Sequence, residues 1–112
     1  MKKILIVIIL AFSGVSFSQT NKQFIQSVLT TELSNEEIRE LDVFIRSQEE
    51  VETCRIDIPT KRIFVLSKNN ENISHAKFTG WITSKEASFS CFYTGIHGLD
   101  EIRKYPFENC DQ

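Results

Sequence analysis

The chain has 112 residues, of which 13 are basic and 15 acidic, and 41% of its residues are hydrophobic. This length suits one small domain and is too short for two. The formal net charge of −2 and the scattered Lys and Arg residues argue against binding to nucleic acid or to an anionic membrane surface, both of which require clustered positive charge.

Residues 1–18 have the layout of a secretory signal peptide. Lys2 and Lys3 precede an apolar run over residues 4–12, and the small residues Ser16 and Ser18 suit a cleavage site after Ser18. The apolar run is short for a membrane span. We therefore expect export to the periplasm or the extracellular space, with no membrane attachment in the mature form. An uncleaved membrane anchor is the alternative.

The first predicted elements are a strand and a capped helix. The segment "FIQSVL", residues 24–29, is rich in β-branched and aromatic residues and predicts a strand. Ser34 then suits a helix N-cap, with Glu37 three residues later as its capping-box partner. The helix has one apolar face, made by Ile38, Leu41, Phe44 and Ile45.

From Val51 the apolar residues alternate with polar ones, which predicts strands. "VETCRIDI" and "RIFVLS" form a hairpin through "PTK", Ser74 begins a second helix, and "ASFSCFYTG" is the last strand. The order is βαββαβ. With right-handed crossovers it predicts an α+β, ferredoxin-like domain over residues 19–95, followed by a tail over residues 96–112. Its four-stranded antiparallel sheet has the strand order 4-1-3-2 and carries two helices on one face.

The same alternation places a row of large side chains on the sheet face away from the helices. This candidate interaction patch consists of Phe24, Val28, Phe64, Leu66 and Phe92. Such a patch requires a cover, which is either the tail or a partner protein. For the tail we expect "LDEIRKY" to form a helical turn or two before Pro106 and to place Ile102, Tyr105 and Phe107 over the patch.

The three cysteines are Cys54, Cys91 and Cys110. Cys54 is expected in the core, on the opposite edge of the sheet from Cys91, so a Cys91–Cys110 disulfide is the preferred pairing in an exported chain. A second interpretation makes Cys91, Cys110 and His97 a candidate zinc or copper site. His75 is expected at the surface.

The chain resembles the heavy-metal-associated (HMA) domains of copper chaperones and metal-pumping ATPases. "SNEEIRELDVFIRSQEEVETCRID" aligns without a gap with the metal loop, helix and strand of that family, and the resemblance covers most of residues 24–94. Ser34 and Glu37 occupy the positions of the two metal-binding cysteines, and Glu32 replaces the usual methionine. A hydroxyl and a carboxylate are poor ligands for copper(I). The resemblance therefore implies a degenerate member that lacks the C-x-x-C motif.

No nucleophile elbow, glycine-rich phosphate loop or other catalytic motif occurs in the sequence. We therefore expect no enzymatic activity and no cofactor. The function expected from the sequence is a small exported binding or interaction module, with a protein partner on the open sheet face. The alternative is a divergent copper or zinc carrier that uses Cys91, Cys110 and His97.

Overall fold

The computed structural model describes residues 21–105 and 107, and the predicted signal peptide lies outside this part of the chain. Four strands and two helices follow one another in the order βαββαβ. The bounds are β1 Gln23–Leu29, α1 Asn35–Arg46, β2 Val51–Ile56, β3 Arg62–Ser67, α2 His75–Ser84 and β4 Phe89–Ile96.

The strands form one antiparallel sheet in the order β2-β3-β1-β4. This is the predicted order 4-1-3-2 in reverse, so the predicted α+β fold is confirmed. The two edge strands are β2 and β4, and the central strands β1 and β3 carry the register Ile25↔Val65 and Ser27↔Ile63.

The hydrophobic core lies between the sheet and the helices. Ile25 of β1, Ile45 of α1 and Phe78 of α2 have no exposed surface and belong to one cluster of buried side chains. Burial of side chains of this size contributes about 1.5–3 kcal/mol each to folding before the entropy costs. The core therefore fixes which sheet face meets the helices and leaves the other face, called the open face below, to the tail.

A β-bulge in β4 corrects one sequence prediction. Gln26 pairs with Tyr93 but Val28 pairs with Ser90, so β4 contains one residue more than β1 over this interval. Cys91 has a φ of +62° at this point, which is unusual for a residue with a side chain. The extra residue shifts the alternation of side chains by one position.

Because of this shift, Phe92 belongs to the helix side of the sheet. Its ring centroid lies 5.5 Å from that of Phe78 and 4.7 Å from that of His75, and its side chain packs against the core. The prediction that Phe92 belongs to the open face is therefore wrong. Tyr93 takes that place, with its ring 5.8 Å from the ring of Phe24.

Candidate functional site

The positions of the missing metal loop form the start of α1. The Glu37 N–H donates to Ser34 Oγ at 3.1 Å, and the Ser34 N–H donates to Glu37 Oε1 at 2.8 Å. These two bonds make a complete capping box, as predicted. The polar groups of Ser34 and Glu37 thus have a structural role that requires no metal.

Cys54 is a core residue. Its side chain is buried, with 3% of its surface exposed, and it is a free thiol. Burial raises the pKa of this thiol far above its ordinary value, because the interior disfavours the thiolate. The prediction that Cys54 lies in the core is confirmed, and the neutral thiol is poorly suited to metal binding or nucleophilic chemistry.

Cys91 lies in β4, where its Sγ accepts a hydrogen bond from the Ser90 hydroxyl at 3.6 Å. Cys110 lies outside the described residues, so the Cys91–Cys110 disulfide remains a prediction. The bulge places Cys91 beside α2, where it lines a groove of about 540 Å³ together with Thr79, Phe89 and His75. His75 is exposed, as predicted.

The structure separates His97 from Cys91. His97 lies in the turn after β4, where its N–H donates to the Lys22 carbonyl at 2.7 Å. The two residues lie six positions apart along the chain, Cys91 at the bulge within β4 and His97 beyond its end. Within residues 21–105 and 107, no group of three or more His, Cys, Asp or Glu side chains could hold a metal ion.

The tail crosses the open face and is joined to it through Gln26. The Gln26 side-chain amide donates from Nε2 to the Arg103 carbonyl at 2.9 Å, and Gln26 Oε1 accepts from the Arg103 N–H at 2.8 Å. Gln26 thereby bonds both backbone groups of Arg103, much as a neighbouring strand would. Gln26 is itself buried.

Tyr93 of β4 makes further contacts between the sheet and the tail. The Tyr93 hydroxyl donates to the Glu101 carbonyl at 3.1 Å, and the Arg103 guanidinium lies 4.1 Å from the centre of the Tyr93 ring. Residues 101–104 are not helical, so the predicted helical turn is wrong. The reason is that Glu101 and Arg103 use backbone groups in bonds to the sheet that a helix would use within itself.

The tail covers the open face only in part. Phe24 has no exposed surface, whereas Val28, Phe64 and Leu66 are half-buried. The predicted covering residues Ile102 and Tyr105 are 47% and 42% exposed. The open face is therefore fully buried at Phe24 and partly accessible at the neighbouring positions.

A cleft of about 290 Å³ remains between the tail and the sheet. Ile63 and Phe64 of β3 line it, and Ile102 and Phe107 contribute from the tail. Its polar lining residues are Gln26, Arg55, Asp57, Arg62 and Arg103. The register explains this grouping: Arg55 pairs with Phe64, which pairs with Gln26, so one row of side chains runs across three adjacent strands.

The one carboxylate that lines this cleft, that of Asp57, accepts hydrogen bonds within the turn between β2 and β3. Asp57 Oδ2 accepts from the Thr60 N–H at 3.0 Å and from the Thr60 hydroxyl at 2.5 Å. The bonds from Thr60, with smaller contributions from Arg62 and Arg55, lower the pKa of Asp57. Asp57 is thus ionised at neutral pH and held at the hairpin turn.

Comparison with known proteins assigns no family to the chain: no family model, curated protein or solved structure matches it. The HMA resemblance therefore remains a prediction. No helix in the described part of the chain has the length and apolar character needed to span a membrane.

Sequence reasoning missed the cleft. The hairpin "RIDIPTKR" does place Arg55 and Arg62 on neighbouring strands, and that spacing was a usable signal. Arg103 could not be added to them, because its position depends on the path of the tail. That path depends on Gln26, one of three buried polar residues on the central strand β1.

Proposed function

We propose that this chain is an exported, non-catalytic binding module on an HMA-like scaffold without a metal loop, and that it binds a protein partner on the open face. The observation that carries the proposal is the cleft beside the tail, where half-buried Phe64 and exposed Ile102 meet. Accessible apolar side chains that are rimmed by polar ones are typical of interaction sites.

Two further features support a binding role. Ser34 and Glu37 act as a helix cap, so the scaffold is complete without metal at the loop. The tail is held at Gln26 and Tyr93, which gives the cleft a fixed wall. A fixed wall lowers the ordering cost of binding, because fewer groups become immobilised when the partner arrives.

The divergent carrier has less support. His97 lies in the turn beyond the end of β4, whereas Cys91 lies within the strand beside α2, so the two proposed ligands are on different parts of the domain.

Site-specific photocrosslinking in the producing cells tests the proposal. A photoreactive amino acid is placed at Ile102 or Leu66 on the open face, and at Val43 as the control, because Val43 is 58% exposed on α1. We expect one discrete protein adduct from the open-face positions and none from Val43. Equal adducts from all three positions, or none from Ile102 and Leu66, would contradict the proposal.

A further inference from the structure

Three arginines from three segments of the chain meet at the cleft. Arg55 belongs to β2, Arg62 to β3 and Arg103 to the tail, and all three side chains line the same space. The chain as a whole has a formal net charge of −2. The cleft is therefore a local concentration of positive charge in an acidic protein.

Within the described part of the chain none of these arginines forms a close ion pair with a carboxylate, although Arg55 and Arg62 are near enough to Asp57 to lower its pKa. The ion pairs found there are Lys22–Glu52, Arg46–Asp42 and Lys77–Glu50, and none includes an arginine of the cleft. The one carboxylate that lines the cleft, Asp57, accepts its hydrogen bonds from Thr60. Positive charge in the cleft thus exceeds negative charge by two groups among its lining residues.

Two of the guanidinium groups are held in place by the protein. Arg62 Nε donates to Thr60 Oγ1 at 3.0 Å, and its guanidinium lies 4.9 Å from the centre of the Tyr105 ring. Arg103 lies over the ring of Tyr93 at 4.1 Å. Stacking on a ring leaves the in-plane N–H donors available, and a planar guanidinium presents them in pairs that match a carboxylate.

The size of the cleft limits what it can accept. Its volume of about 290 Å³ is just below the range of roughly 300–1,000 Å³ for small-molecule pockets. One or two side chains of a peptide fit such a space. Its apolar lining of Phe64, Ile102 and Phe107 favours an apolar side chain next to the charged one.

We infer that the cleft binds an acidic peptide segment of the partner protein, with a carboxylate between the guanidinium groups and a neighbouring apolar side chain on Phe64. This inference rests on the proposed function and specifies the chemistry of the partner. Arg55 and Arg62 select the charge, and Phe64 selects the apolar neighbour. Arg103 couples the site to the tail, because its backbone is bonded to Gln26.

The probe is a short synthetic peptide with the core Glu-Phe-Glu and blocked ends, added to the full-length chain with its cysteines in their native state. We expect the NMR signals of Phe64 and of the Arg55, Arg62 and Arg103 side chains to shift together. Matched peptides with the cores Gln-Phe-Gln and Glu-Ser-Glu should bind at least several-fold more weakly. Equal binding of either matched peptide would overturn the corresponding half of the inference. Inorganic sulfate that binds as well as the probe would identify a free-anion site and overturn the assignment to a peptide.

Charge-neutralising variants locate the binding. The R55Q/R62Q variant should bind the probe peptide about tenfold or more weakly, since loss of paired charges commonly costs at least one order of magnitude in affinity. Arg39→Gln is the matched control, because Arg39 is exposed on α1, remote from the cleft. An equal loss in Arg39→Gln, or no loss in R55Q/R62Q, would overturn the inference.

The two proposals fail separately. A crosslinked partner at Ile102 together with no preference for the acidic probe would leave the proposed function intact and reject the acidic segment. Conversely, probe binding that depends on Arg55 and Arg62 supports the cleft chemistry on the purified chain, whether or not the cells used for crosslinking contain the partner.

Discussion

The lack of a side chain at Gly95 makes room for the Phe24 ring on the open face. Gly95 pairs with Phe24 across β1 and β4, and a Cβ there would lie 2.9 Å from the end of the Phe24 ring and 2.8 Å from Asp100 Cβ. Both distances are shorter than ordinary contacts. The absence of a side chain therefore lets the Phe24 ring and the start of the tail approach the strand.

Gly95→Ala should lower the free energy of unfolding by about 1–3 kcal/mol, the usual range for overpacking at a tight site. Gly80→Ala is the matched control, since a Cβ at Gly80 in α2 would meet nothing within 4 Å. It should stabilise the protein by about 0.5–1 kcal/mol, because alanine is the better helix former. Urea unfolding of the two variants checks the opposite signs. A neutral Gly95→Ala would contradict the described packing.

The capping box makes a second prediction at this scale. Ser34→Ala should cost about 1 kcal/mol of stability, because it leaves the Glu37 N–H in the first turn of α1 without its side-chain acceptor. Ser74→Ala provides the comparison, since Ser74 Oγ accepts from the Lys77 N–H at 3.0 Å at the start of α2. Chemical unfolding should show losses of similar size in both variants. A stable Ser34→Ala variant with altered copper binding would point instead to a metal role.

Among individual residues, the sequence predicted those whose roles are local. Ser34 and Glu37 are three residues apart, and their interaction requires only the helix that they start. Cys54 was predictable as a core residue from alternation along one strand. Phe92 was not, because its direction depends on the bulge at Cys91, and a single extra residue reverses every side chain beyond it.

At the scale of elements, the tail is bonded to the sheet through the side chains of Gln26 and Tyr93 and does not form a helix. "LDEIRKY" has apolar residues at helical spacing, which suggested a helical turn. Hydrogen bonds from Gln26 and Tyr93 to the tail backbone outweigh that weak local preference. Short helices are marginal by themselves, so a few bonds to a neighbouring element decide the conformation.

Removal of the tail should therefore destabilise the domain. Gln26→Ala removes both bonds to Arg103 and should cost about 1–3 kcal/mol, with faster hydrogen exchange at the Arg103 amide. Deletion of residues 99–112 should cause a larger drop in melting temperature or self-association, because it uncovers Phe24. Thermal unfolding and size-exclusion chromatography measure both effects. A truncated chain that stays monomeric with an unchanged melting temperature would show that the tail is not the cover.

The hairpin between β2 and β3 should contribute to acid sensitivity through Asp57. Hydrogen bonds from Thr60 lower the pKa of Asp57 in the folded state, so this contribution is complete above the unfolded pKa, about 3.9. It is lost as the pH falls through the lower folded value. Asp57→Asn should therefore show a shallower loss of stability below about pH 4, and Thr60→Val should change in the same direction. Unfolding curves measured between neutral and acidic pH test this. A steeper loss of the free energy of unfolding at low pH in either variant would contradict it.

At the scale of the whole molecule, the two faces of the sheet differ in what packs against them. The helix face holds the continuous core that includes Ile25, Ile45 and Phe78. The open face is partly covered by the tail and carries a cleft lined by three arginines. The order of elements and their hydrophobic periodicity predicted the first face except for Phe92, which the bulge in β4 turns toward the helices. The second face depends on long-range pairing between the tail and β1, which no local pattern encodes.

The described fold is stabilised by the core and by helix caps at Ser34 and Ser74. At the start of α1 the polar groups of Ser34 and Glu37 are used in the capping box. The proposed function therefore places binding on the open face and not at the start of α1.

Native mass spectrometry of the full chain, isolated under mild conditions from the cells that produce it, tests this account most directly. The account predicts the mature mass without copper or zinc, alone or with one protein partner that is lost in the R55Q/R62Q variant and retained in Arg39→Gln. A chain that carries stoichiometric copper or zinc, lost in Cys91→Ser and unaffected by R55Q/R62Q, would contradict it and identify a metal carrier.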